Sequence, residues 1–189
     1  MDGPTLVDAL EALGGLLEER DERHAFLAIG GGTLLLLGLV DRPTADLDVA
    51  GEVVEGGYAK LDALPPTVAE AVRDVGLAFG LRPDWVNTGP RTLLDFGLPP
   101  GMEGRVHRRR YGGLELHLPD RVDLICFKLY AAVDQTERAQ PHYQDLRAMN
   151  PTPDELLAGA RWARTHDPSE GFLAELRRML SLFGVDDAP

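Results

Sequence analysis

The sequence holds a single cysteine, Cys126, set between Ile125 and Phe127 in an apolar run, so neither an internal disulfide nor a cysteine-built zinc site is available. A buried thiol is the expectation there. Histidine offers no substitute, because His24, His107, His117, His142 and His166 are scattered without zinc-ligand spacing and read as structural or solvated. Positive charge is scarce. Lys and Arg total 19 against 31 Asp and Glu, a net charge of -12, which argues against coating duplex DNA. Lysine is nearly missing, with only Lys60 and Lys128 present. No stretch approaches the roughly 20 apolar residues of a membrane helix. The opening MDGPTLVDALEALGG also lacks the basic start and apolar block of a secretory signal. A membrane partner is therefore not expected, and a cytoplasmic location is.

What is present is ordinary for a folded domain: 44% hydrophobic and 26% charged residues. Leucines at 6, 10, 13, 16 and 17 give a first helix, and HAFLAIG reads as a buried strand. TLLLLGL reads as a helix, ADLDVAG as a strand alternating with period two, and residues 65–81 as an amphipathic helix behind a proline. RPDWVN suggests a strand, GPRTLLDFGL a short helix, and HRRRYGGLELHLP a hairpin turning at Gly112 and Gly113. The basic run RVHRRRYG fits an edge strand blunted by charge, or a phosphate or RNA contact on an acidic body. Beyond Pro119 the texture changes to helices alone, over 120–135, 142–150, 152–166 and 169–184, each opened by a capping residue or close to one. A boundary is therefore expected between a mixed unit, 1–118, and a helical unit, 119–189.

Two short segments carry chemistry. Gly30, Gly31 and Gly32 lead from a strand into a helix, where unpaired N–H groups and the helix dipole favour an anion and no Cβ obstructs a phosphate. The pattern is neither of the dinucleotide nor of the P-loop type, and alone it equally suits tight helix–strand packing. Asp46 and Asp48 alternate with Leu47 and Val49, so both acids face one side of a strand. At a separation of about 7 Å they repel by about 2 kcal/mol at an effective dielectric near 20. A divalent cation removes that penalty, and two hard oxygen ligands with open positions for water and phosphate suit Mg²⁺. A hydrated strand face is the simpler reading of Asp-x-Asp by itself. Glycines and aspartates together suggest a metal–nucleotide site.

The order Gly-Gly, short helix, Asp-x-Asp resembles the nucleotidyltransferase superfamily. Arg42, Thr44, Asp46 and Asp48 are similar to the R-x-T-x-D-x-D segment of its AbiEii/MenT-type toxin members and their uncharacterised relatives. Lys128, in LICFKLYAA, resembles their active-site lysine, and Asp145, in Gln-Asp-Leu, their later Asp-Leu pair. The resemblance runs in order over residues 26–147. It implies an α/β (α+β) fold, a mixed sheet with flanking helices, followed by a helical subdomain that completes the active site.

The activity implied is Mg²⁺-dependent transfer of a nucleoside monophosphate from a nucleoside triphosphate to an acceptor hydroxyl, with release of pyrophosphate and with Mn²⁺ as a substitute ion. Gly30, Gly31, Gly32 and Thr33, with Arg42 and Thr44, would hold the nucleotide, and Asp46 and Asp48 the metal. Lys128 would neutralise phosphate charge, against the simpler reading of a lysine snorkelling from an amphipathic helix. Asp145 would act as base or hold Lys128 in place. The superfamily's third carboxylate has two candidates, Glu115 and Asp84. A tRNA 3′ end or a small molecule is the implied acceptor, and a cognate antitoxin an implied partner. The competing reading is a non-catalytic nucleotide-binding or interaction module on the same fold.

Overall fold

The computed structural model describes residues 1–95, 97–134 and 141–186. Phe96 and Gln135, which fall within expected helices, lie outside the described residues. The chain is α+β, in two compact units, Met1–Pro119 and Asp120–Pro189.

The first unit is a six-stranded mixed sheet with helices. Its strands are β1 (His24–Ile29), β2 (Leu47–Val54), β3 (Gly57–Lys60), β4 (Val86–Asn87), β5 (His107–Tyr111) and β6 (Leu114–Leu118). The order is β3-β2-β1-β6-β5, and β4 pairs with β2. β1 runs antiparallel to β2 and parallel to β6, so three different segments meet at the centre of the sheet. Helices α1 (Gly3–Glu19), α2 (Gly30–Leu36) and α3 (Pro66–Phe79) complete the unit, with 3₁₀ turns at Gly89–Asp95 and Met102–Gly104.

The inward residues of the strands form one core with the leucines of α1 and the valines of α3. Phe26, Ala28, Leu47, Val49, Leu114, Leu116 and Leu118 meet Leu6, Leu10, Leu13, Val68, Val72 and Val75 there. Full burial of such side chains stabilises by about 1.5–3 kcal/mol each. Trp85, wholly buried, donates its indole N–H to the Val72 carbonyl at 2.9 Å and fixes α3 to the chain entering β4. α3 stops at Gly80, whose positive φ of 65° supports a Gly76 carbonyl accepting from Leu81. Gly14 brings α1 against the β5–β6 hairpin so closely that a Cβ there would sit 3.0 Å from the Tyr111 Cβ and nearer still to its carbonyl. β5, with His107, Arg108, Arg109 and Arg110, forms one edge of the sheet, where exposed charge discourages edge-to-edge pairing.

The second unit packs α4 (Arg121–Asp134) against α5 (Pro141–Met149), α6 (Pro153–His166) and α7 (Glu170–Ser181). Phe127 and Tyr130 of α4 meet Trp162 of α6 edge-on at 5.4 and 6.1 Å between ring centres. Cys126 is buried, and its thiol lies 3.3 Å from the Val122 carbonyl. Among the described residues no helix is long and apolar enough to cross a membrane.

Glu155 joins three elements. It caps α6 reciprocally with Thr152 and pairs with Arg121, which also donates to the Met149 carbonyl at 2.9 Å. Burial pushes its carboxyl upward, but the Thr152 N–H and the Arg121 guanidinium outweigh this and hold it below the ordinary glutamate range. A carboxyl depressed by folding adds stability that is present above its unfolded pKa, about 4.3, and is lost as pH falls through the folded value. Glu155→Gln is therefore expected to flatten the loss of stability below about pH 4.3 in acid-titrated urea melts. Thr152→Ala is expected to cost about 1 kcal/mol at neutral pH in the same assay.

Candidate functional site

In the first unit the glycines belong to the helix itself. α2 starts at Gly30, with Ile29 as its cap, and not at Thr33. The three glycines therefore form its first turn and lie flat on the segment that carries the aspartates. A Cβ at Gly30 would lie 3.1 Å from Asp48 Cγ and closer to Oδ2. One at Gly31 would lie 3.1 Å from Thr44 Oγ1 and 3.3 Å from Arg42 Nη2, and one at Gly32 3.0 Å from the Asp46 carbonyl. Gly30 also holds φ at 79°, where L side chains are strained. Gly30, Gly31, Arg42, Thr44 and Asp48 thus come together, with the backbone of Asp46 against Gly32. Gly30→Ala should cost about 1–3 kcal/mol in a denaturant melt, because strain and the displaced carboxylate act together.

The 42–46 segment is held by its own bonds. Met1 and Thr44 exchange backbone hydrogen bonds, at 2.5 Å from the Met1 ammonium and 3.0 Å from the Thr44 N–H. The Thr44 hydroxyl donates to the Asp46 carbonyl at 3.1 Å, and Leu47 N–H donates to the Trp85 carbonyl. Asp46 and Asp48 are part-exposed while Leu47 and Val49 are wholly buried, the alternation that period two requires.

Thr33 does not join this group. Beginning the helix three residues earlier turns its side chain inward, where it is wholly buried and its hydroxyl has no hydrogen-bond partner among the described residues. Glu115 is not brought to Asp48 either. It shares the sheet face, but its partner on β1 is Ala25 whereas that of Asp48 is Ile29, which separates the two carboxylates by about 16 Å across two strand spacings. Glu115 instead accepts from Arg110 at 2.6 Å and lies 3.1 Å from His117 Nε2, partners that hold its carboxyl below the ordinary range. Asp84 is exposed in the turn before β4 and pairs with Arg82 at 2.7 Å.

The residue beside Asp48 on the neighbouring strand is Asn87, its register partner on β4. Asn87 accepts from the Gly89 N–H at 2.8 Å, and a Cβ on Gly89 would stand 3.9 Å from Asp48 Oδ1. Sequence reasoning missed Asn87; its one signal was its place at the end of a short strand. An amide thus stands where a third carboxylate would be adjacent, and among the described residues no three His, Cys, Asp or Glu are grouped as a metal cage. Two carboxylates suffice for Mg²⁺ when waters and substrate phosphates complete its shell, so the donor set fits that ion.

In the second unit, Lys128 of α4 and Asp145 of α5 form an ion pair of 2.7 Å, with side chains 4% and 0% exposed. Lys128 does not snorkel. A buried pair of this kind is retained only when each charge meets its partner in good geometry. No protein-family model, curated protein or solved structure matches the chain.

Proposed function

We propose that the protein is a nucleotidyltransferase that moves a nucleoside monophosphate from a nucleoside triphosphate to an acceptor hydroxyl and releases pyrophosphate. The observation that carries this reading is the packing of Gly30 and Gly31 directly on Arg42, Thr44 and Asp48. Five residues from two separate segments, chosen for one chemistry, make a single polar surface with no Cβ over the helix's first turn. The Arg42 guanidinium and the first-turn amides suit triphosphate oxygens. Asp46 and Asp48 would hold Mg²⁺, which when bound supplies charge stabilisation at the reacting phosphate. Lys128 is assigned to phosphate charge, and Asp145 to keeping that ammonium in place. An RNA 3′ end or a small-molecule hydroxyl is the acceptor class, and an antitoxin-like protein a partner.

The presence of Asn87 rather than a third acid beside Asp48 favours, as a second reading, a module that binds nucleotide without turning it over. Titration with each nucleoside triphosphate, with and without Mg²⁺, followed by pyrophosphate measurement with an RNA 3′ end supplied as acceptor, separates the two. Release only with Mg²⁺ supports transfer; saturable binding without release supports the module; neither removes both.

A further inference from the structure

On a chain of net charge -12, one cleft sets two arginines against a single glutamate in its lining. It lies where β1 begins and β5 turns into β6, measures about 450 Å³, and is lined by Arg23, His24, Arg110, Glu115 and the Gly112–Gly113 turn. Arg23 has no hydrogen-bond or ion-pair partner among the described residues, which is unusual where acids outnumber bases. Glu115, the acid of the lining, is already engaged on both oxygens, by Arg110 at 2.6 Å and His117 Nε2 at 3.1 Å. His117 continues the chain of contacts, its Nδ1 lying 3.1 Å from the Tyr58 hydroxyl. The Arg110 side chain is 70% exposed and meets Glu115 through Nη2, while a guanidinium carries five N–H donors. His24 is fixed against Glu22 at 2.8 Å and stacked on Phe26.

We propose that this cleft binds a small phosphate monoester through Arg23 and Arg110. Two guanidiniums match a dianion, whereas a single carboxylate would be satisfied by one of them. The volume lies within the range for small-molecule sites, and the acidic body repels a long polyanion. Ala25, in the lining, and Ile29, beside Asp48, are about 13 Å apart along β1, so this is a separate site and does not rest on nucleotidyl transfer.

The test is an NMR titration of the full chain with ribose 5-phosphate, with ribose and sodium acetate at matched ionic strength as controls. Ribose 5-phosphate should shift the His24 and His117 ring signals saturably with a Kd of about 1 mM. Arg23→Gln and Arg110→Gln should each weaken binding by about tenfold, and Asp48→Asn should leave it unchanged. Arg23 is exposed and unpartnered among the described residues, so its variant tests the site even if Arg110→Gln fails to fold. The proposal is overturned by no saturable shift, by an equal shift with acetate, by full affinity in Arg23→Gln, or by loss of binding in Asp48→Asn.

Discussion

Asp48→Asn is expected to lower Mg²⁺-dependent pyrophosphate release by about 100-fold or more, the scale on which a site loses rate when one preorganised electrostatic group is removed. Asparagine keeps the shape of the side chain against Gly30 but removes the charge that a cation requires. The substitution opens no cavity and relieves repulsion from Asp46, but it also weakens the contacts that Asp48 already makes, so metal-free stability should fall by no more than about 1 kcal/mol. Asp46→Asn should behave alike. A large stability loss in both variants, with turnover retained, would make the acids structural.

Lys128→Met is expected to destabilise the protein by about 3–5 kcal/mol, because a wholly buried Asp145 would lose the ammonium 2.7 Å away. Replacing both partners, Lys128→Met with Asp145→Ala, should recover part of that loss, since no charge is then left to bury. The double variant then separates fold from function. If it is stable and no longer binds a triphosphate, the lysine acts on phosphate; if it is stable and turns over normally, the pair serves only the helical unit. Lys128→Arg is a poor rescue in either case, because a planar fork does not fit the space of a compact ammonium.

Period and punctuation in the sequence were enough to place β1, β2, the β5–β6 hairpin and the long helices, and the loss of strand pattern at Pro119 coincides with the border between the units. Four things were hidden. β3 is four residues long and begins at Gly57, which has no side chain, so it is too short to show alternation. The start of α2 was masked by glycine's low helix propensity. Alternation correctly put Glu115 on the face of Asp48, but period two gives the side of a sheet and says nothing of the level along it. Asn87 and the Tyr58–His117–Glu115 contacts depend on register between distant segments, which one sequence does not encode locally.

The central claim is that the glycine turn and the aspartates form one nucleotide site. Its most direct measurement is pyrophosphate release from each of the four ribonucleoside triphosphates with an RNA 3′ end as acceptor, with Mg²⁺ and with chelator, for the parent chain and Asp46→Asn side by side. The claim requires release that depends on Mg²⁺, favours at least one base, and disappears in the variant while its melting curve is kept. Release that survives either chelation or the Asp46→Asn change would contradict it.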